Sequence, residues 1–315
     1  MPPVVVITGP TASGKSRLAL DLAVELAPEF GATIINADAL QVYRELRILT
    51  ARPGPEDLEL ALHRLYGRLP AAQACSAGRW RALALVEIEA ARAAGRLPLL
   101  VGGTGLYLKG LEQGLSEIPE VPAALRAAAT RKLEELGPAG FHAALAARDP
   151  AAGAALRPSD RQRLIRAWEV LEATGRPLSD WQQAPGDPAP YRFLRLALVP
   201  PRDRLYADCD RRFLQMLEAG ALDEVAALRA LGLDPGLPAM KAVGVAELSA
   251  HLAGEITLEA AVERAQQATR RYAKRQMTWL RGPGAGARVF AAQYSESLRA
   301  EIFKIICEFV LTGQK

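Results

Sequence analysis

Gly9-Pro10-Thr11-Ala12-Ser13-Gly14-Lys15-Ser16 fits the spacing G-x-x-x-x-G-K-S/T and stands between two legible elements. Before it, Pro3 to Thr8 is a β-branched apolar run, the pattern of a buried strand. After it, Ser16 to Ala27 repeats Leu18, Leu22 and Leu26 at i+4 beside Ala19 and Ala23, the pattern of a helix. Strand, glycine loop and helix are the context in which such a loop grips phosphate. Gly9 and Gly14 permit a backbone that turns successive N–H groups onto phosphate oxygens, and the helix N-terminus adds partial positive charge. Lys15 supplies a point charge for the terminal phosphate, and Ser16 a hydroxyl for Mg²⁺. The octapeptide predicts a pyrophosphate site and is silent on whether the phosphate belongs to a nucleotide.

Working outward, Ala32 to Ala37 reads as a second strand ending at Asp38, Trp80 to Ala94 as a helix, and Leu97 to Val101 as a third strand. Strands alternating with helices imply a parallel sheet. After Gly114 the pattern changes. Val121 to Gln183 is rich in Ala, Leu, Arg and Glu, and prolines flank it at 119, 122, 185, 188 and 190. Strand character resumes from Arg195 to Val199, and helices are expected at Arg202 to Gly220, Asp223 to Leu231 and Leu258 to Leu280. The expected fold is α/β: a P-loop NTPase-like parallel sheet core with an inserted helical domain. The core would take residues 1–118 and 191–315, and the insert 119–190.

Composition narrows the function classes. A chain of 315 residues, 50% hydrophobic and 23% charged, is long enough for a large core plus a smaller domain. Its three cysteines (Cys75, Cys209 and Cys307) lie far apart, against a disulfide framework or zinc site and in keeping with a reducing cytoplasm. His63, His142 and His251 do not cluster, so histidine-based metal or triad chemistry is not expected. The N-terminus lacks the basic segment of a signal peptide, and no apolar run reaches membrane-spanning length. The net charge of +4 permits a polyanionic partner without demanding one.

Asp38, at a strand end near the phosphate loop, suits either a Mg²⁺-bound water or a general base; an N-cap or turn role competes. Gly102-Gly103-Thr104-Gly105 follows the third strand, where paired glycines fit close approach to a ligand or a plain tight turn. Arg157, Arg161, Arg163 and Arg166 crowd the helical block, and Arg264, Arg270, Arg271, Lys274, Arg275 and Arg281 line the late helix. These runs read equally as solvated helix surface or as phosphate-backbone contacts with nucleic acid. Trp168, Trp181 and Trp279 read as core anchors.

Taken together, several segments resemble the tRNA dimethylallyltransferases, also called tRNA isopentenyltransferases. They are GPTASGKS at 9–16, ADALQVYRELRILTARP at 37–53, VGGTGLYLKGL at 101–111, RPSDRQRLIRAWEVLEATGRPLS at 157–179, KAVGVAEL at 241–248 and AKRQMTWLRG at 273–282. A generic P-loop kinase has no reason to carry the last four. The resemblance implies transfer of the dimethylallyl group of dimethylallyl diphosphate to N6 of the adenosine 3′-adjacent to the anticodon, with Mg²⁺ assisting and pyrophosphate leaving. It implies that Gly9, Pro10, Thr11, Ala12, Ser13, Gly14, Lys15 and Ser16 hold the donor diphosphate rather than ATP, despite the nucleotide-binding pattern, and that Ser16 serves the metal. Asp38 matches the family's general base and Thr104 a residue at the reacting centre. Asp38, Ala39, Leu40 and Gln41 correspond to the strip that meets the flipped-out adenosine. Arg126, Gln162, Arg163, Leu164, Ile165, Arg166, Lys241 and Gly244 correspond to further tRNA contacts. The partners implied are the anticodon stem-loop of tRNA and the prenyl donor, for a cytoplasmic monomer.

This chain departs from the family's pattern in three places. Ala39 stands where the family carries Ser, TARP replaces TAKP with Arg52 for Lys, and Ala207 to Arg212 displaces an arginine expected just after Tyr206. Arg211 and Arg212 both remain candidates for pyrophosphate. Three rival readings share parts of the pattern. A small-molecule kinase would need a lid closing arginines over ATP. A GTPase-like switch would need the N-K-x-D motif, which is missing. A catalytically dead RNA-binding protein is at odds with intact Lys15, Ser16, Asp38 and Thr104.

Overall fold

A computed structural model of the chain describes residues 1–184, 186–282 and 286–312. The elements run β1 (Pro3–Thr8), α1 (Lys15–Leu26), β2 (Ala32–Asn36), α2 (Pro55–Leu60), β3 (Leu62–Arg64), α3 (Ala77–Ala93), β4 (Leu97–Gly102) and α4 (Gly105–Gln113). Four helices follow: α5 (Ala123–Ala146), α6 (Pro150–Ala155), α7 (Arg161–Thr174) and α8 (Leu178–Gln182). The chain continues through β5 (Arg192–Leu198), α9 (Arg202–Glu218), α10 (Ala221–Ala230), α11 (Val245–Leu252), α12 (Leu258–Leu280), β6 (Arg288–Phe290) and α13 (Glu296–Leu311). Two compact units result, one of Met1–Glu112 with Pro190–Lys315, the other of Gln113–Ala189.

The first unit is built on a six-stranded parallel sheet of order β3-β2-β4-β1-β5-β6. β1 is central, with Val5 opposite Leu99 on one side and Leu194 on the other. A strand buried on both faces needs apolar residues at every position, and Val4, Val5, Val6 and Ile7 are fully buried. From β1 the chain moves outward to β2 on one side and returns later to β5 on the other. This reversal opens a crevice beyond the carboxyl ends of the strands, where ligands settle in such sheets. The phosphate loop, Asp38 and the turn after β4 all emerge at that edge.

Neither edge strand was expected from the sequence. β3 and β6 have three residues each, too few to show a period of two. They exist because β2 and β5 offer them a ladder.

The second unit is helical, in keeping with the composition of its segment, and begins at Gln113. Its core gathers Ala129, Leu133, Phe141, Leu145, Leu164, Ala167 and Trp168. α5 is broken at Gly137, which takes a φ of 65° just before Pro138. The Trp168 ring packs against Phe141, with the Lys132 ammonium 4.3 Å and the Arg148 guanidinium 4.9 Å from its centroid. It is a core anchor, as its sequence context suggested.

Candidate active site

The loop between β1 and α1 is held in an uncommon conformation. Ala12 takes a φ of 62° and Gly14 a φ of 85°. The glycine adopts this region freely, but an alanine there costs about 1 kcal/mol or more. Other side chains hold the loop. Gln276 of α12 accepts the Thr11 N–H at 2.8 Å through Oε1 and donates through Nε2 to the Gly103 carbonyl at 3.3 Å. It thus ties the phosphate loop to the turn that carries Thr104. Arg212 of α9 donates to the Thr11 hydroxyl.

Lys15 lies within the loop, its Nζ donating to the Pro10 carbonyl at 3.3 Å. Burial pushes its ammonium down to about 8; Asp38 and Cys209 oppose the shift and Arg212 adds to it. The nearby Arg212 guanidinium is also shifted downward, chiefly by burial, against the pull of Cys209 and Asp38. Two cations held close in a partly dry site are poised for a polyanion.

Asp38 is fixed from behind. Buried Asn36 accepts the Asp38 N–H through Oδ1 at 2.8 Å and donates through Nδ2 to the Asp38 carbonyl at 3.0 Å and to the Leu65 carbonyl at 3.2 Å. The Asn36 carbonyl accepts the indole N–H of fully buried Trp80 at 2.9 Å. The Asp38 carboxylate accepts the Leu40 N–H at 2.9 Å through Oδ1. Thr104 Oγ1 accepts the Ala39 N–H at 2.9 Å, which leaves its own proton to donate. Asp38 and Thr104 are therefore linked through one residue, although they arise from different strands.

The two glycines after β4 serve close packing within the protein. A Cβ on Gly102 would overlap the Ala37–Asp38 backbone, and one on Gly103 would overlap the Gln276 amide. Of the readings open for these glycines, the close approach is real, but its partners are the Asp38 strand end and Gln276.

Two cavities meet at Arg212. One is lined by Ala12 to Arg17 together with Arg211, Arg212 and Gln293. The other has Thr11, Asp38 and Arg212 at its polar end and Leu40, Leu49, Phe213 and Met216 along an apolar wall. Arg211 lines only the first cavity, where it pairs with Asp208. Of the two arginines left open by the sequence, Arg212 is the one on both cavities. Gln41 does not line either; its Nε2 donates to the carbonyls of Thr50 at 2.8 Å and Ala51 at 3.1 Å, closing the loop that supplies Leu49. Glu224 of α10 clamps the same loop, accepting the N–H groups of Arg47, Ile48 and Leu49 at 2.7, 2.7 and 2.9 Å.

The residues expected at tRNA are distributed unevenly. Gln162 and Arg163 are exposed on the first turn of α7, and Lys241 is exposed on a short turn before α11. Leu164 is fully buried in the helical core, and Ile165 packs against that core. Apolar burial accounts for the placement of the Leu164 side chain. Gly244 is also buried, capping α11 at a φ of 96°, where a Cβ would crowd Leu49 and Phe213. Its part is packing behind the cavity wall. Arg126 and Arg166 both bond buried Glu169, at 2.9 and 3.0 Å and at 2.7 Å respectively. Burial pushes the Glu169 carboxyl up, but the hydrogen bonds from the two arginines outweigh it and leave it below its ordinary value.

Comparison with known proteins gives this arrangement a family. The model described as IPP transferase matches residues 41–283, and that described as isopentenyl transferase matches residues 2–72. The tRNA dimethylallyltransferase of Rhodospirillum centenum is 59% identical over 291 residues, 91% of each chain. The chain belongs to the tRNA dimethylallyltransferase family. The namesake from Paramagnetospirillum magneticum is 53% identical over 99% of this chain and 98% of its own. Among solved structures, the tRNA isopentenylpyrophosphate transferase of Bacillus halodurans superposes with a TM-score of 0.71 at 30% identity, covering 99% of this chain and 98% of that one. A eukaryotic dimethylallyltransferase described as acting on tRNA reaches 0.80 at 25% identity, covering 99% of this chain and 80% of that one. The P-loop NTPase-like sheet is thus the fold of this family.

Against the family's motifs, sequence reading missed Asn36, Gln276, Glu169 and Glu224. Two carried a signal. Gln276 lies on the buried stripe of α12 with Ala265, Ala273 and Met277, and Glu169 lies among buried Trp168, Val170 and Leu171. A polar residue on an apolar face must find a partner. Which partner it finds is not written in the stripe.

Proposed function

We propose that this chain transfers a dimethylallyl group from dimethylallyl diphosphate to the N6 amine of a tRNA adenosine, the one 3′-adjacent to the anticodon. The observation that carries the reading is the meeting of two cavities at Arg212, one cationic around the phosphate loop, the other holding Asp38 against an apolar wall. The first suits a diphosphate. The second suits a five-carbon tail and the amine that attacks it.

In the proposed reaction the bond from the allylic carbon to the diphosphate oxygen breaks, and the N6–carbon bond forms. Lys15, Arg212 and the N–H groups at the start of α1 stabilise the charge that develops on the leaving pyrophosphate. Asp38 takes the proton that N6 loses, and Thr104 donates its hydroxyl proton to a polar atom at the same centre. An adenine inside a stack cannot present its amine, so the base is flipped out to reach Asp38.

Among the described residues no group of three or more His, Cys, Asp or Glu side chains stands ready for a metal. The exposed Ser16 hydroxyl is a hard oxygen donor of the kind Mg²⁺ accepts, and that ion keeps several waters and takes further ligands from phosphates. The residues present fit Mg²⁺ on those terms, and the ion would neutralise diphosphate charge.

Exposed Gln162, Arg163 and Lys241 are the proposed tRNA contacts, with Arg126 and Arg166 shared between RNA and Glu169. A cytoplasmic monomer remains the proposed setting; among the described residues no helix is long and apolar enough to cross a membrane. The test is incubation with labelled dimethylallyl diphosphate and unmodified tRNA. Label should enter the RNA with stoichiometric pyrophosphate release. No label in RNA under conditions where the donor binds would overturn the reading.

A further inference from the structure

The family model that covers most of the chain ends at residue 283, and the sequence beyond Arg288 carried no readable motif. The structure nonetheless brings this tail to the phosphate loop. β6 extends the sheet beside β5, and α13 lays Leu298, Ile302 and Ile306 into the same core as Leu18, Leu22 and Leu26 of α1. The link between them passes behind the loop. Gln293 Nε2 donates to the Ala12 carbonyl at 3.2 Å. A Cβ on Gly14 would stand 2.7 Å from that of Tyr294, whose hydroxyl bonds Asp21 of α1.

Ala12 is the loop's non-glycine residue in the left-handed region, with a φ of 62°. Its peptide must be turned and kept turned for the following N–H groups to face a ligand. Gln293 holds the carbonyl of that residue. The amide leaves its own Oε1 buried and unpartnered, so the bond to Ala12 is what fixes its orientation. Gln293 also lines the cationic cavity with Lys15, Arg211 and Arg212.

We infer that Gln293 is a positioning residue of the diphosphate site. Acting through the Ala12 carbonyl, it sets the turn that aims the N–H groups of Gly14, Lys15 and Ser16 at the diphosphate. The C-terminal strand and helix are then the frame that carries this side chain. The inference rests on the proposed reading of the loop as a diphosphate site.

Titration calorimetry of the full chain with inorganic pyrophosphate and Mg²⁺ at neutral pH tests it. Gln293→Met keeps the volume and removes the donor. It should bind pyrophosphate about five- to tenfold more weakly, the scale of one net hydrogen bond. The KM for dimethylallyl diphosphate should rise by the same factor, while kcat at saturating donor and the affinity for tRNA stay near wild type. Glu301→Ala opens the exposed Arg288–Glu301 pair on the same tail and should leave pyrophosphate affinity unchanged. A folded Q293M that binds pyrophosphate as wild type does overturns the inference. So does an equal loss in E301A, which would mean general loosening of the tail. If Q293M is not recovered folded, Q293N, one methylene too short to reach Ala12, takes its place in the same comparison. Wild-type protein that binds no pyrophosphate would instead refute the reading of the loop, and the inference with it.

Discussion

Raising the pH through 8 should release the prenyl donor by deprotonating Lys15. Its ammonium is pushed from 10.5 to about 8, chiefly by burial, while Asp38 and Cys209 hold it up and Arg212 presses it further down. Bound diphosphate restores a partner for that charge and draws the group back toward its ordinary value. Binding then takes up a proton above pH 8, and affinity falls by up to about tenfold per pH unit there. The donor's own last proton is lost near pH 6, well below this window. Calorimetric titration of dimethylallyl diphosphate between pH 6.5 and 9.5 should give a level affinity up to about 7.5 and a steady decline above. Lys15→Ala should bind weakly throughout and lack the step. Because Asp38 raises the lysine, Asp38→Asn should move the step to lower pH. A level affinity from pH 7 to 9, or the same step in the Lys15→Ala protein, would refute the argument. The unliganded fold should respond in the opposite sense. A lysine depressed on folding disfavours the folded state while it is charged, so stability rises as pH climbs from about 8 toward 10.5.

Asp38→Ala should lower single-turnover prenyl transfer by about 10²–10⁴, the usual loss for a general base, with tRNA affinity nearly intact; full activity would remove Asp38 from that role. Gln276→Leu should keep the buried stripe of α12 apolar but cut the tie between Thr11 and Gly103. It should lower kcat and raise the donor KM together, whereas an effect on tRNA affinity alone would contradict the bridge. Replacing exposed Arg163 with Ala should reduce the salt slope of tRNA binding by about one, as one lost phosphate contact would, and leave donor affinity alone. Glu169 is held below its ordinary value of 4.5, so its contribution to the fold is present above that value and lost as pH falls. Glu169→Gln should therefore flatten the acid side of the thermal stability profile.

Much of the architecture was legible because it is local. A strand, a glycine loop and a helix are specified by residues within one stretch, so β1 and α1 could be read from Pro3 to Ala27 without reference to the rest. The change of composition after Gly114 marked the helical unit in the same way, since a segment poor in β-branched residues has no strand to offer. The ends of β2 and β4 could be placed, and with them Asp38 and Thr104, because apolar runs stop where the chain leaves the sheet. Family motifs then supplied the chemistry that spacing could not.

What escaped was whatever depends on two distant stretches meeting. β3 and β6 are too short to carry a period and form only against a ladder already built. Arg211 and Arg212 are neighbours in sequence with equal chemistry; Arg211 finds Asp208 three residues back on α9, but only the packing of α9 against the phosphate loop gives Arg212 to Thr11. Arg166 read as solvated surface or RNA contact and Arg126 as an RNA contact, and only the packing of α5 on α7 brings both to Glu169. Local sequence determined which elements form and which residue types stand at their ends. Tertiary structure decided which polar groups pair across distant stretches, because a hydrogen bond depends on separation in space, and Gln276 and Thr11 are 265 residues apart in the chain and 2.8 Å apart in the fold.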